Sequence, residues 1–193
     1  METQIKQKSE IEEIVNALKA EEVVAFPTET VYGLGVIYDS KVAINRLIEA
    51  KQRDLSKHFT LMLADVKDVS RYAHITPRDK CIIDAFMPGD LTIVLNGKED
   101  KTIGIRIPND DFVRELIRKT GKPLYVTSAN ISHQPSTTTT REVLEQLDGR
   151  IPLVVEGECG KFQASSVIDL TSKKINVLRQ GRITLEMIEE ELK

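Results

Sequence analysis

The sequence predicts an α/β or α+β fold, a single domain over residues 1–193 with a twisted mixed sheet flanked by helices. Three observations carry that expectation. Short apolar runs bounded by turn formers alternate with capped segments of helical period. Residues 91–95 and 102–107, joined by the polar stretch Asn96-Gly97-Lys98-Glu99-Asp100-Lys101, form a hairpin pattern, which puts an antiparallel pair into the sheet. No linker or internal repeat interrupts a chain that is 40% hydrophobic, enough for one core. With no Trp and only 5% aromatic residues, that core falls to Ile, Leu and Val.

The elements follow in order. Ser9 caps a first helix in a capping box with Glu12, and Ile11, Ile14, Val15 and Leu18 form its apolar face. A strand spans 23–26. Asp39 or Ser40 caps a second helix with Ala43, Ile44, Leu47 and Ile48 inward. A strand covers Phe59 to Ala64. Thr76 caps a helix with Pro77 at its first position, and that helix ends before Pro88-Gly89. After the hairpin, Asn109 caps a helix running through Lys119, with Gly121 just beyond its end. A strand leads to Val126. Thr140, ending the short threonine tract 137–140, caps a helix over 141–148. Strands near 152–155, 165–170 and 175–178 alternate with turns, and Thr184 caps a last helix carrying Leu185, Ile188 and Leu192.

The charge balance excludes some functions. With 27 basic and 30 acidic side chains the net charge is −3, which argues against an electrostatically driven nucleic-acid binder. Cys81 and Cys159 have no metal spacing; Cys81, in an apolar run, reads as a buried small hydrophobe. Two free cysteines and an N-terminus without an apolar signal region fit a reducing cytoplasm. No apolar run approaches membrane-spanning length. His58 and His74 lack partners in ligand spacing, so no protein-built metal site is expected.

Two loops concentrate the polar chemistry. Ala25-Phe26-Pro27-Thr28-Glu29-Thr30-Val31-Tyr32-Gly33-Leu34-Gly35 opens from one buried strand. Thr127-Ser128-Ala129-Asn130 opens from another about a hundred residues later. Hydroxyls at strand ends, beside glycines or turn formers, offer donors and acceptors where backbone can approach a ligand. Thr28 and Thr30 either share the pocket side or form a turn after Pro27. Lys51 and Arg53, two apart at a helix end, either reach one polyphosphate, as point charge and planar fork, or are solvated helix-end charges. Arg106, inside Ile105-Arg106-Ile107, either points outward or into a site.

With Lys51-Gln52-Arg53, Met87-Pro88-Gly89, Leu91-Thr92, Gly104-Ile105-Arg106-Ile107-Pro108, Ser165-Ser166-Val167-Ile168-Asp169 and Leu178-Arg179-Gln180-Gly181, the two loops resemble the YrdC-like family over about residues 20–185. The resemblance implies a short, single-domain threonylcarbamoyl-AMP synthase using ATP, L-threonine and bicarbonate, with magnesium accompanying the ATP. It implies Lys51 and Arg53 as catalytic and nucleotide-binding residues. Thr28, Thr30, Arg106 and Thr127 would hold threonine, and Ser128, Asn130, Ser165 and Arg179 the nucleotide. It further implies a role in transfer-RNA modification, a downstream threonylcarbamoyl transferase complex and no membrane. Some positions depart from the family pattern: Asp54 replaces a proline, His58-Phe59 a Pro-Leu pair, and Ser132-His133 a Ser-Gly pair. The stretch around Asp54 and Phe59 is closer to a YciO-like branch, the nearest alternative. A non-catalytic RNA-binding module is the alternative from another class.

Overall fold

The computed structural model describes residues 2–52, 54, 58–99, 102–160 and 163–193. Ten strands form one mixed sheet. In chain order they are β1 (Gln4–Lys6), β2 (Val24–Phe26), β3 (Gly33–Ile37), β4 (Thr60–Met62), β5 (Leu91–Leu95), β6 (Ile103–Arg106), β7 (Leu124–Ser128), β8 (Leu153–Val155), β9 (Ser166–Asp169) and β10 (Asn176–Arg179). Across the sheet the order is β1-β8-β2-β3-β7-β4-β6-β5-β9-β10. The hairpin pattern corresponds to antiparallel β5 and β6. The helices are α1 (Ile11–Lys19), α2 (Lys41–Lys51), α3 (Val69–Tyr72), α4 (Pro77–Phe86), α5 (Asp111–Thr120), α6 (Thr140–Leu147) and α7 (Leu185–Glu191).

Alternation along the strands decides what each sheet face meets. In the first half of the sheet both faces are covered. Val24, Phe26, Leu124 and Val155 pack on α1 and α5, while Ala25, Leu34, Val36 and Val154 pack on α2 and α6. In the second half, Leu61, Leu91, Ile93, Leu95, Ile105 and Ile168 face α3, α4 and α7. The alternate residues of those strands, Thr60, Thr92, Val94, Gly104, Arg106 and Val167, line a cavity instead.

Several boundaries differ from the sequence expectation, each for a local reason. The first helix is entered earlier, through a one-turn 3-10 segment at Lys8–Glu10. Gln7 forms the capping box with Glu10, whose carboxylate accepts the Gln7 N–H at 2.6 Å, so Ser9 is not the cap. Asp110 rather than Asn109 caps α5, its Oδ1 accepting the Val113 N–H at 3.0 Å. Asn109 instead donates its N–H to Glu29 Oε1 at 2.7 Å. Thr139, one residue before Thr140, caps α6. The caps Ser40, Thr76 and Thr184 stand where the sequence puts them, and Gly121 ends α5 with a φ of 78°. Cys81 is exposed, because α4 turns Ile82 and Ile83 inward.

Strands β1 and β3 and the one-turn helix α3 carry no clear sequence signal. β1 is a short polar edge strand paired in parallel with β8. β3 is buried on both faces between β2 and β7, so it shows no alternation. Its glycines serve packing: a Cβ at Gly35 would lie 2.7 Å from the Phe26 ring, and one at Gly33 3.0 Å from Val126. No helix among the described residues is long and apolar enough to cross a membrane.

Candidate functional site

The uncovered face of the second half-sheet floors a cavity of about 540 Å³. The two strand-end loops meet at its rim. β3 and β7 pair antiparallel with Gly33 opposite Ser128, which brings the turn before β3 to the end of β7. Thr28, Thr127 and Ser128 therefore line one cavity, although a hundred residues separate the loops in sequence. The Thr28 hydroxyl donates to the Val31 carbonyl at 2.8 Å, lies 3.0 Å from the Thr30 hydroxyl and accepts the Thr30 N–H at 3.1 Å. This is the self-bonded turn that small hydroxyl residues favour. Thr30 supports that turn from inside and is not among the lining residues.

Lys51 is buried at the end of α2, away from the lining. Its ammonium donates to the carbonyls of Ser128 and Asn130, at 2.6 Å each, and reaches Asn130 Oδ1 at 3.1 Å. Asn130 turns its amide NH₂ onto the Ile131 and Gln134 carbonyls, both at 2.8 Å. Lys51 and Asn130 thus fix the path of the loop that presents Ser128. Arg53 lies outside the described residues. His58 and Phe59 line the cavity; His133, at φ 71°, is exposed and does not.

Two arginines stand over the floor. Arg106 is buried, donates from Nε to the Gly89 carbonyl at 3.3 Å, and places Nη2 2.9 Å from Glu29 Oε1. The Met87-Pro88-Gly89 and Thr28-Glu29-Thr30 segments therefore converge on one guanidinium. Glu29 Oε2 is buried without a hydrogen bond. Arg179 donates from Nε to the Ser165 carbonyl at 2.9 Å and from Nη2 to its hydroxyl at 3.1 Å, and that hydroxyl lies 3.0 Å from Thr92 Oγ1. Arg179 is an exposed residue of β10, but its guanidinium is partly desolvated where it folds onto Ser165, and that desolvation, then the neighbouring Arg106 charge, push it below its ordinary pKa. An anion in the cavity would offset the penalty on Arg179.

Gly181 makes the Arg179 geometry possible. Its N–H donates to Ser166 Oγ at 2.9 Å, and a Cβ there would lie 2.5 Å from the Ser166 nitrogen. Only glycine lets the chain after β10 close onto β9 this tightly.

Of the residues expected at the site, Thr28, Arg106, Thr127, Ser128, Ser165 and Arg179 share the cavity, while Thr30, Lys51 and Asn130 stand behind it. Sequence reasoning missed Glu29 as the partner of Arg106, and Thr92, Gly104 and Asp169 as lining residues. The signal for Thr92 was present in β5, where Leu91, Ile93 and Leu95 alternate with Thr92 and Val94. Among the described residues no group of three His, Cys, Asp or Glu side chains is placed to hold a metal ion.

The chain matches known proteins throughout this region. The profile of the Sua5/YciO/YrdC family, described as telomere recombination, matches residues 16–181. A threonylcarbamoyl-AMP synthase of Bacillus subtilis (strain 168) is 36% identical over 184 residues, 89% of this chain and 53% of the relative. One of Enterobacter sp. (strain 638) is 35% identical over 185 residues, 89% of this chain and 95% of the relative. The chain thus spans about half the length of the first and nearly all of the second. Among solved structures, P. abyssi Sua5 complexed with L-threonine superposes with a TM-score of 0.93 at 31% identity, covering 98% of this chain and 61% of that one. E. coli YciO superposes with a TM-score of 0.86 at 25% identity, covering 96% and 99%.

Proposed function

This chain belongs to the Sua5/YciO/YrdC family, and on that premise we propose that it is an L-threonylcarbamoyladenylate synthase. It forms threonylcarbamoyl-AMP and pyrophosphate from L-threonine, bicarbonate and ATP. The observation that carries the reading is one cavity lined by Thr28, Thr127, Ser128 and Ser165 together with Arg106 and Arg179.

The chemistry suits such a site. The threonine amine adds to carbon dioxide derived from bicarbonate and loses a proton, giving a carbamate. A carbamate oxygen attacks the α-phosphorus of ATP, the bond to the β-phosphate oxygen breaks, and pyrophosphate leaves. The enzyme supplies no nucleophile. Its work is to hold two anionic reactants in contact and to offset charge on the phosphates. In this reading Thr28, Arg106 and Thr127 hold threonine, with Arg106 steadied by Glu29 and Gly89. Ser128, Ser165 and Arg179 hold the nucleotide, and Lys51 with Asn130 keeps the Ser128 loop in place. Arg53 adds a second phosphate contact. ATP enters as its magnesium salt, its metal carried on phosphate oxygens.

The product would supply the threonylcarbamoyl group of modified transfer RNA through a downstream transferase complex, in the cytoplasm where ATP and transfer RNA meet. Relatives named as synthases, at higher identity than YciO, support this reading over a YciO-like paralogue.

Amino-acid discrimination tests the assignment. A site built to bond a substrate hydroxyl rejects an analogue without it strongly, so threonine should turn over roughly a hundredfold or more faster than valine. Equal rates with threonine and valine would remove threonine from the site.

A further inference from the structure

Arg179 reaches the cavity from an edge of the sheet. β10 is paired only with β9, and all four of its residues are exposed. Asn176 pairs with Asp169 and Val177 with Ile168; the register then shifts, and Arg179 pairs with Val167. Leu178 is the extra residue of a bulge, so Leu178 and Arg179 together oppose Val167. Both line the cavity, as Val167 does. Without the shift Leu178 alone would oppose Val167, and Arg179 would fall opposite Ser166, on the other face of the sheet. The bulge therefore decides whether Arg179 belongs to the site.

The hairpin does not specify that register by itself. Burial of one face is what selects a register, and no residue of β10 is buried. The connection from β9 runs over residues 170–175, too long to fix the pairing as a two-residue turn does. The hold comes from outside, from Arg78 in the first turn of α4. Arg78 donates from Nη1 to the carbonyls of Ser172 and Lys173, at 2.9 and 2.8 Å, and from Nη2 to that of Leu170 at 2.7 Å. Its Nε and Nη2 donate to Asp79 Oδ1 at 3.2 and 3.0 Å. These bonds use every N–H of the guanidinium fork. Asp79 is buried, and its Oδ2 accepts the Thr76 N–H at 3.0 Å, which anchors the pair to the start of α4. Arg78 does not line the cavity; α4 packs on the opposite face of the half-sheet.

We propose that Arg78 is a positioning residue for Arg179: by gripping the turn between β9 and β10 it holds the bulged register that brings Arg179 to the cavity. The consequence for turnover rests on the synthase reading; the consequence for register does not. Lysine cannot take over, because a point charge lacks the planar fork that meets three carbonyls and a carboxylate at once.

The test combines a mutant cycle with a direct reading of the register. Arg78→Gln and Arg78→Lys should each raise the KM for ATP about tenfold or more, the order of loss that a small displacement transmitted from outside the site produces. The KM for threonine should stay within about twofold, since only the interaction with the nucleotide is removed. On an Arg179→Ala background neither substitution should change kcat/KM by more than about twofold, because the residue through which Arg78 acts is already gone. A merely structural loss would add to that of Arg179→Ala instead. In isotope-labelled protein, the cross-strand nuclear Overhauser contacts between Val167 and Arg179 should vanish in both variants, while those between Ile93 and Ile105 remain. Should Arg78→Gln fail to fold, Arg78→Lys, which keeps the charge beside Asp79, carries the test. Additive losses in the cycle, both KM values raised in parallel, a wild-type KM for ATP in Arg78→Lys, or Val167–Arg179 contacts intact in both variants would overturn the proposal. Wild-type protein without turnover would defeat the synthase reading, and the Overhauser contacts alone would then decide the role of Arg78.

Discussion

The Lys51 ammonium donates to the part-buried Ser128 carbonyl and the buried Asn130 carbonyl at 2.6 Å each; the Ser128 carbonyl also accepts the Asn130 N–H, so loss of the ammonium falls on the Asn130 carbonyl. Leaving a buried acceptor unpaired costs about 1–3 kcal/mol, so Lys51→Met should lower the urea midpoint measurably as well as reduce turnover. Turnover lost with an unchanged midpoint would make Lys51 a substrate contact alone. Ser128 is the opposite case. Its side chain faces the cavity and supports no core cluster. Ser128→Leu should abolish turnover while shifting stability by no more than about 0.5 kcal/mol, as for substitutions away from packing. Full activity in that variant would place the reactants elsewhere. Both residues stand out in the sequence as motif members, yet nothing in it separates their tasks. That separation depends on which atoms of the loop face α2 and which face solvent.

Among the elements, β3 and α5 make independent claims. Gly35 has no side chain because the Phe26 ring fills the space. Gly35→Ala would force the two within 2.7 Å unless the ring moves, and overpacking of this kind costs about 1–3 kcal/mol. A melting temperature equal to wild type would show that Phe26 has room to yield. Asp65 ties the segment after β4 to α5 through Arg118 and Arg114. Those bonds, the one to Arg118 first, hold its carboxyl down from 3.8 to about 2. A depressed folded-state pKa gives stability that is present above about pH 4 and lost as pH falls toward 2. Asp65→Asn should therefore be less stable than wild type near neutrality by about 1 kcal/mol or less, since the pair is partly exposed. The difference should close at pH 2, and a gap that persists there would assign the effect to packing. Caps and apolar faces made most helices legible in the sequence, with errors of one or two residues where neighbouring polar side chains compete for the same cap. The same rules could not find β3, because a strand buried on both faces and punctuated by glycines reads as a loop.

For the whole molecule, the cavity arises from an imbalance in the sheet: helices cover both faces of one half and one face of the other. No local pattern encodes that. The strand-end loops could be found from sequence because their hydroxyls and turn formers are contiguous. Thr92 shows in the alternation of β5, whereas Gly104 and Asp169 could not be found, because they become site residues only through register across the sheet. The pairing of Glu29 with Arg106 is hidden for the same reason, joining positions far apart in the chain. In the proposed reaction this cavity brings a carbamate and the α-phosphate of ATP into contact. Mass spectrometry of a reaction containing ATP, L-threonine, bicarbonate and magnesium tests it most directly. Threonylcarbamoyl-AMP should form, together with pyrophosphate, only when threonine and bicarbonate are both present. Pyrophosphate release that ignores threonine, or no adduct under conditions where ATP and threonine both bind, would contradict it.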